Sequence, residues 1–214
     1  MPRTALVLVH GDPPDPALLA ARAAAADWFV CADGAVGTAL AAGVTPDTVL
    51  GDMDSIERPR PGAAAVPPTV EWIEVPDQET TDLEKALLEA IGRGFGRVVV
   101  LGAAGRRWDH FFGHLSLFAR FADRLQLEAE DAHGRIVVLR PGAWHALDLP
   151  AGSKLSLLPL PRATGIETDG LRWPLAGATL ALGEREGISN AVERVPARVR
   201  YAAGCLAVYE VGAE

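Results

Sequence analysis

Short apolar runs alternate with helical patterns through the first 130 residues of this 214-residue chain. The apolar runs, each of strand length, are residues 4–9, 28–32, 48–50, 70–75, 97–101 and 125–129. The helical patterns lie between them, at residues 17–26, 35–42, 81–91 and 108–121. Alternation of this kind favours a parallel sheet, because parallel neighbours need a crossover connection. We therefore predict an α/β domain over residues 1–130, with three layers and a mostly parallel sheet.

The pattern changes near residue 133. From Arg135 onward no long helical pattern remains, and Gly, Pro and Asp separate short strand-like runs. Clear examples of these runs are residues 136–139, 154–158, 178–182 and 206–211. Many short strands with turn residues between them are typical of a small sandwich or barrel. We predict a second domain over residues 133–214, a small all-β sandwich.

Charge and composition exclude several classes of partner. The formal net charge is −8, which gives no electrostatic help in binding nucleic acid or an anionic membrane. The two cysteines, Cys31 and Cys205, lack metal-ligand spacing, and no stretch approaches the roughly 20 apolar residues that span a bilayer. We expect a reduced, cytoplasmic protein whose partners include neither nucleic acid nor a membrane.

The segment 51–55, Gly-Asp-Met-Asp-Ser, directly follows the third apolar run. In open parallel sheets, ligands bind outside the carboxyl ends of the strands. Asp52 and Asp54 are suitable ligands for Mg²⁺, a hard cation that binds carboxylates together with substrate phosphates. A solvated turn is the simpler interpretation of this segment by itself, since glycine and aspartate are common in turns.

Two further segments carry charged groups at corresponding places. Asp82 falls in the first turn of a predicted helix, where it either stabilises the helix dipole or acts as a third metal ligand. Residues 102–110, Gly-Ala-Ala-Gly-Arg-Arg-Trp-Asp-His, form a glycine-bearing turn before another helix. The free N–H groups of such a turn, with Arg106 and Arg107, suit a phosphate. Asp109 either orients Arg107 or binds substrate, and an ordinary capped helix start remains the alternative for this segment.

Taken in order, these segments resemble the thiamine pyrophosphokinase family. The motifs that carry the resemblance are residues 31–35 (Cys-Ala-Asp-Gly-Ala), 51–55, 81–82, 105–110 (Gly-Arg-Arg-Trp-Asp-His), 156–160 (Ser-Leu-Leu-Pro-Leu), 165–175, 187–190 (Gly-Ile-Ser-Asn) and Gly204. Each motif alone is weak, but the ordered set is specific and covers nearly the whole chain.

The resemblance implies an enzyme, thiamine diphosphokinase. It would transfer the pyrophosphoryl group of ATP to the hydroxyethyl oxygen of thiamine, giving thiamine diphosphate and AMP. The resemblance also implies a homodimer with its sites at the subunit interface, formed by an α/β catalytic domain and a thiamine-binding β-sandwich. ATP and thiamine are the implied partners, and Mg²⁺ is the implied cofactor, held by Asp52, Asp54 and Asp82.

Matching the motifs assigns further roles. The implied catalytic residues are Asp54, Asp82, Arg107 and Asp109. The implied substrate-binding and nucleotide-binding residues are Asp33, Gln78, Thr81, Gly105, Ser189 and Asn190. Of these, Ser189 and Asn190 would lie beside thiamine and come from the other subunit. As the base that takes the proton of the alcohol, our hypothesis is a metal-bound carboxylate, Asp82 or Asp54.

The chain departs from the family pattern at three places. Arg106 stands where the family usually has a second glycine, and His114 stands where it usually has asparagine. No aromatic residue follows Asn190 to stack on thiamine, which leaves Trp173 or Trp108 as replacements. Two other functions stay open: the same chemistry on a different small alcohol, and a non-catalytic dimer that binds a nucleotide or thiamine diphosphate as a sensor.

Overall fold

The computed structural model describes residues 2–53 and 66–212. The chain divides into two compact units, Met1–His114 with Ala129–Ala132, and Leu115–Glu128 with His133–Glu214. The elements are β1 (Thr4–Leu8), α1 (Pro16–Ala25), β2 (Trp28–Ala32), α2 (Val36–Ala41), β3 (Thr48–Gly51), β4 (Glu71–Glu74), α3 (Asp82–Gly92), β5 (Arg97–Leu101), α4 (Trp108–Phe121), β6 (Gln126–Glu130), β7 (Gly134–Val138), β8 (His145–Leu147), β9 (Lys154–Asp169), β10 (Ala178–Ala181), β11 (Gly187–Ala191), β12 (Ala197–Arg200) and β13 (Ala203–Val211).

The first unit contains a parallel run of strands in the order β4, β3, β2, β1, β5. All four pairings in this run are parallel. β1 and β2 are almost wholly buried, which explains their uninterrupted apolar sequences. β4 lies at the edge and is mostly exposed, and it carries the glutamates that are typical of an edge strand. This is the mostly parallel α/β architecture that the sequence predicts.

Two helices of this unit begin at capping residues. The Asp15 carboxylate accepts the backbone N–H of Ala17 at 2.8 Å and starts α1, with proline at the first helical position. Two adjacent threonines, Thr80 and Thr81, precede α3. Thr81 is the cap, because Thr80 instead donates to Asp77 at 2.7 Å. Asp82 is consequently the first residue of the helix.

The second unit is organised around β9, which is much longer than its predicted five residues. β9 has 16 residues and continues through two prolines. On one edge, its pairing with β11 stops at Leu157 and its pairing with β10 resumes at Arg162. Pro159 and Pro161 lie between these two points, so their missing N–H groups remove no hydrogen bond on that edge.

Two sheets share β9. Its first part pairs with β13, which also pairs with β7, and its last three residues pair with β12. The side chains between them form one apolar core, in which Leu155, Leu157 and Tyr201 are buried. The predicted all-β fold of the C-terminal part is therefore confirmed. None of the helices that the structure describes is long and apolar enough to cross a membrane.

Candidate active site

Four loops of the first unit follow the carboxyl ends of neighbouring parallel strands. They begin at Val9 after β1, at Asp33 after β2, at Asp52 after β3 and at Gly102 after β5. Parallel strands present these ends on one edge of the sheet, where ligands of such folds bind. The structure thus brings most of the predicted site residues of this unit to a common edge.

Asp33 connects the loop after β2 with the loop after β3. Its side chain is buried, with 1% of the residue exposed, and its Oδ2 accepts the backbone N–H of Met53 at 2.8 Å. The carboxylate lies directly against Gly51, where a Cβ would stand 2.5 Å from Oδ2. Asp33 was predicted to contact the nucleotide, and in this structure it holds the backbone of the acidic loop.

Asp52 is connected to the segment that precedes α3. Nε2 of Gln78 donates to Oδ2 of Asp52 at 2.8 Å, so two predicted site residues lie in contact. The same segment is held by Asp77, whose carboxylate accepts the backbone N–H of Glu79 at 2.8 Å. Thr81 then caps the helix through the N–H of Glu84 at 3.3 Å. Gln78 and Asp82 thus lie at the two ends of the short segment that these hydrogen bonds hold before α3.

Asp82 lies close to two other carboxylates, those of Asp33 and Asp52. Burial raises the pKa of its carboxyl above the usual value, and the carboxylates of Asp33 and Asp52 raise that pKa further. The Lys85 ammonium opposes both effects from one turn along the helix, 3.5 Å from Oδ1 of Asp82. The Lys85 side chain is only 3% exposed. Asp82 is therefore a carboxylate whose negative charge a bound cation would stabilise.

The donor chemistry of this edge fits a divalent cation such as Mg²⁺. Asp33 and Asp52 are close enough to Asp82 to raise its pKa, and hard cations prefer carboxylate oxygens. Within residues 2–53 and 66–212, however, no three His, Cys, Asp or Glu residues form a group that could hold a metal ion. Asp54, the remaining predicted ligand, lies outside the described residues.

The glycine turn after β5 is packed against the segment after β1. The backbone N–H of Asp12 donates to the carbonyl oxygen of Ala104 at 2.9 Å. Gly105 has a φ of 84°, and a Cβ there would stand 2.0 Å from the Asp12 carboxylate. Any other residue at position 105 would push the Asp12 carboxylate away. Steric contact with Asp12 therefore explains why glycine stands here, which the sequence alone does not reveal.

Arg107 and Asp109 form an exposed ion pair at the start of α4. Nε of Arg107 donates to Oδ1 of Asp109 at 3.1 Å, and Nη2 donates to Oδ2. The hydrogen bond from Arg107 lowers the pKa of Asp109 to about 2. Of the two roles that the sequence leaves open for Asp109, this contact matches the orientation of Arg107. The guanidinium fork faces solvent and is accessible to a phosphate.

His114 supports the glycine turn from inside. It is buried, and its Nδ1 lies 2.8 Å from the carbonyl oxygen of Ala103. Burial lowers the pKa of this imidazole, which favours its neutral form. Next to the turn is a pocket of about 220 Å³, lined by Ala104, Gly105, Arg106, Trp108 and Phe111. The Trp108 side chain at its rim is 87% exposed.

The second unit contains the remaining predicted residues, Ser189 and Asn190. Asn190 is buried, and its side chain forms two hydrogen bonds with the backbone of Trp173. Nδ2 donates to the carbonyl oxygen at 2.8 Å, and Oδ1 accepts the N–H at 3.2 Å. The Trp173 residue itself is 55% exposed. The backbone N–H of Ser189 donates to Oγ of Ser156 at 3.1 Å. Asn190 therefore acts here as a support for Trp173.

Unusual backbone conformations occur in three of these segments, two loops and the strand β11. Among the described residues, Met53, Arg106 and Ser189 are the non-glycine residues with positive φ, at 63°, 49° and 62°. Such conformations are disfavoured by Cβ and cluster at functional sites. Each of the three residues belongs to a segment that the sequence singles out, which supports those segments as parts of the site.

Two sequence models of one family match this chain. The model of the thiamin pyrophosphokinase catalytic domain matches residues 19–129, and that of the thiamin pyrophosphokinase vitamin B1 binding domain matches residues 145–206. The chain belongs to the thiamin pyrophosphokinase family. The resemblance that the ordered motifs indicate is thereby confirmed.

Curated members of the family are moderately similar to this chain. Thiamine pyrophosphokinase 1 of Oryza sativa subsp. japonica is 32% identical over 173 residues, which are 72% of this chain and 62% of the rice protein. Thiamine pyrophosphokinase of Bacillus subtilis is 26% identical over 182 residues, 84% of each chain. The match therefore spans less than two thirds of the rice protein, and most of the bacterial one.

Solved structures of the family share the fold. The crystal structure of thiamine pyrophosphokinase from Bacillus subtilis superposes with a TM-score of 0.80 at 20% identity. The superposition covers 99% of this chain and 100% of the Bacillus chain. Thiamin pyrophosphokinase from Candida albicans gives a TM-score of 0.76 at 15% identity, covering 99% of this chain and 90% of that one. At these identities the structures establish a common fold.

Sequence reasoning assigned no role to three residues at this edge: His10, Asp12 and Lys85. His10 contacts Arg106 through its Nε2, and Asp12 lies against the glycine turn. The available signal for these two residues was position: His10 directly follows the first apolar run and Asp12 comes two residues later, at a carboxyl end. Lys85 was also detectable, because a residue three positions after Asp82 lies on the same face of a helix.

Proposed function

We propose that this protein is a thiamine diphosphokinase, which transfers the pyrophosphoryl group of ATP to thiamine and releases AMP. The observation that carries the proposal is the joint presence, at one sheet edge, of the acidic group around Asp82 and the arginine turn at Arg107. Family membership supports the choice of substrates. A polyphosphate bound with a divalent cation requires both kinds of group.

The proposed reaction is a displacement at the β-phosphorus of ATP. The hydroxyethyl oxygen of thiamine forms the new bond to the β-phosphorus, and the bond from that phosphorus to the oxygen shared with the α-phosphate breaks. AMP leaves with that oxygen. The proton of the alcohol goes to a carboxylate, for which we propose Asp82. Burial and its acidic neighbours raise the pKa of Asp82, and a higher pKa makes a carboxylate a stronger base.

Mg²⁺ is the proposed cofactor, with Asp52, Asp54 and Asp82 as the residues that would hold it. When bound, the ion would neutralise charge on the phosphates. Arg107 would donate to phosphate oxygens while Asp109 orients its guanidinium. Gln78 positions Asp52, and the turn at Gly105 follows β5 at the same edge. Asp33 acts by holding the loop after β3 through Met53.

The acceptor side is proposed to lie in the C-terminal part. We infer a catalytic domain at residues 1–130 and a thiamine-binding domain at 133–214, in line with the two matched regions. Ser189, in β11, is the proposed thiamine contact. Asn190 would contribute by holding Trp173, whose exposed indole is a candidate surface for stacking on thiamine.

We further infer a cytoplasmic homodimer with its active sites at the subunit interface, with Ser189 and Asn190 completing the partner's site. The family resemblance is the support for this arrangement. Mixing two variants tests it: Asp82→Asn and Ser189→Ala subunits, each impaired alone, should recover activity when they are unfolded and refolded together. Recovery is expected only if one site draws residues from both subunits.

The enzyme assay tests the function directly. The protein is incubated with ATP, Mg²⁺ and thiamine, and AMP and thiamine diphosphate are separated by chromatography. Equal formation of both products, absent without thiamine, is the expected result. AMP formation with another alcohol but not with thiamine would assign a different acceptor. Tight binding of ATP or thiamine diphosphate without turnover would instead assign a sensor.

A further inference from the structure

Arg106 adopts a backbone conformation that a residue with a side chain rarely takes. Its φ is 49°, in the left-handed region that Cβ disfavours. The preceding residue, Gly105, also has positive φ, at 84°. Glycine at position 106 would complete this turn without strain, so the arginine needs a reason beyond the shape of the turn.

The Arg106 side chain is held by His10. Nη1 of Arg106 donates to Nε2 of His10. A guanidinium can only donate, so Nε2 accepts and the proton of the neutral ring lies on Nδ1. The imidazole also packs against Gly34, where a Cβ would stand 3.3 Å from the ring. His10 therefore sits between the loop after β2 and the turn after β5, and it keeps the guanidinium at the carboxyl edge.

The position of His10 relative to the turn is fixed by the backbone. Two residues further along, the N–H of Asp12 donates to the carbonyl oxygen of Ala104 at 2.9 Å. The N–H of Val9, the residue before His10, donates to the carbonyl oxygen of Leu101 at 3.0 Å. Hydrogen bonds on both sides of His10 thus connect its segment to the end of β5 and the turn.

The charge of Arg106 differs from that of its neighbour. Arg107 is neutralised by Asp109. Arg106 meets a neutral imidazole and, in the described part of the chain, forms no ion pair. An arginine that is strained, positioned and uncompensated at this edge is suited to an anion with several oxygens.

We propose that Arg106 is a second phosphate-binding arginine for the polyphosphate of ATP, and that His10 is the residue that positions it. This inference rests on the proposed function in one respect, the identity of the polyphosphate. It adds a binding residue at a position where glycine would suffice for the turn. Removing the side chain should then weaken binding of the polyphosphate while relieving backbone strain.

Calorimetric titration of the full chain in Mg²⁺ tests Arg106. The ligands are ATP, AMP and inorganic tripolyphosphate. The variants are Arg106→Gly and a control, Arg140→Ala, which removes one charge from an exposed position. Arg106→Gly should raise the Kd for ATP and tripolyphosphate roughly tenfold, the usual effect of losing one charge-assisted hydrogen bond. The Kd for AMP should change much less, and Arg140→Ala should change none of them.

The outcomes separate this inference from the proposed function. An unchanged or lower Kd for ATP in Arg106→Gly would overturn the inference, since the arginine would then only crowd the site. Failure of the wild type to bind any polyphosphate would overturn it too. Wild-type binding of ATP without thiamine-dependent AMP would overturn the proposed function alone, and the comparison of Kd values would still decide the role of Arg106.

Steady-state kinetics with varied ATP test the positioning role of His10. His10→Ala should raise the KM for ATP by about the same factor as Arg106→Gly, with little change in kcat, and the double variant should be no worse than Arg106→Gly. His10→Gln should recover most of the loss, because its amide oxygen can accept where Nε2 does. Effects that multiply in the double variant, or a glutamine no better than alanine, would contradict the role of His10.

Discussion

Asp33 and Met53 are joined by a hydrogen bond of 2.8 Å, from the backbone N–H of Met53 to Oδ2 of Asp33. The bond connects the ends of two neighbouring strands and holds Met53 at a φ of 63°. A side chain at the carboxyl end of β2 thereby determines where the backbone after β3 turns. Asp52 stands directly before Met53, so its position depends on Asp33.

Gly51→Ala should disrupt this arrangement. The added Cβ would stand 2.5 Å from Oδ2 of Asp33, so the carboxylate or the loop must move. A displacement of that size costs activity on the order of 100-fold, measured as the rate of AMP formation. The matched control is Gly37→Ala, which meets nothing within 4 Å and should stabilise α2 by about 0.5–1 kcal/mol. Full activity in Gly51→Ala would refute the anchoring role of Asp33.

Arg107→Ala should lower kcat by roughly 100-fold to 1,000-fold, as expected when a donor to a developing charge is lost. Arg107→Lys should restore only part of this loss, because an ammonium cannot form the two parallel bonds of a guanidinium. Rapid-quench measurement of AMP gives the rate. A lysine variant as active as the wild type would show that charge alone matters at this position.

The Mg²⁺ affinity should depend on pH through Asp82. If Asp82 is a ligand, as we propose, the ion would bind its ionised carboxylate. The affinity should then rise with pH through the pKa of Asp82, which burial and Asp33 raise. Lys85 lowers that pKa, and Lys85→Met should therefore move the midpoint to higher pH. Titrations of Mg²⁺ between acid and neutral pH measure the shift. Lys154→Met removes the same charge from an exposed position and should leave the midpoint unmoved.

The raised pKa of Asp82 also predicts how the stability of the folded protein changes with pH. A carboxyl whose pKa is higher in the folded state than in the unfolded state stabilises the fold when protonated. The contribution of Asp82 to the free energy of unfolding should thus decline as pH rises from its usual pKa through its raised one. Asp109 behaves oppositely, since Arg107 lowers its pKa to about 2. Its contribution is present above the usual pKa and is lost as pH falls towards 2.

Substitutions of Ser189 should separate strain from binding. Its φ of 62° suits glycine, so Ser189→Gly should stabilise the protein by about 1 kcal/mol, whereas Ser189→Ala keeps the strain. Both variants lack the hydroxyl, and both should bind thiamine more weakly. Thermal unfolding and titration with thiamine measure the two effects. If Ser189→Gly bound thiamine as the wild type does, the hydroxyl would have no part in binding.

Much of the first unit could be predicted because its signals are local. The apolar run of β5, Arg97–Leu101, and the Asp15-Pro16 start of α1 carry their structural preference within a few residues. The edge of the sheet that holds the loops follows from the parallel topology. The full length of β9 was not predicted, because proline usually ends a strand. A strand tolerates proline only where no neighbouring strand needs its N–H group, and in β9 this depends on where the pairings with β10 and β11 stop.

By itself, the sequence determined the α/β and all-β division, the family, and the loops that carry Asp52, Asp82 and Arg107. These properties depend on periodicity and on the order of motifs along the chain. Only the tertiary structure decided that Asp33 holds Met53 and that His10 holds Arg106. Those contacts join residues far apart in the chain, and they arise where parallel strands bring separate loops to one edge.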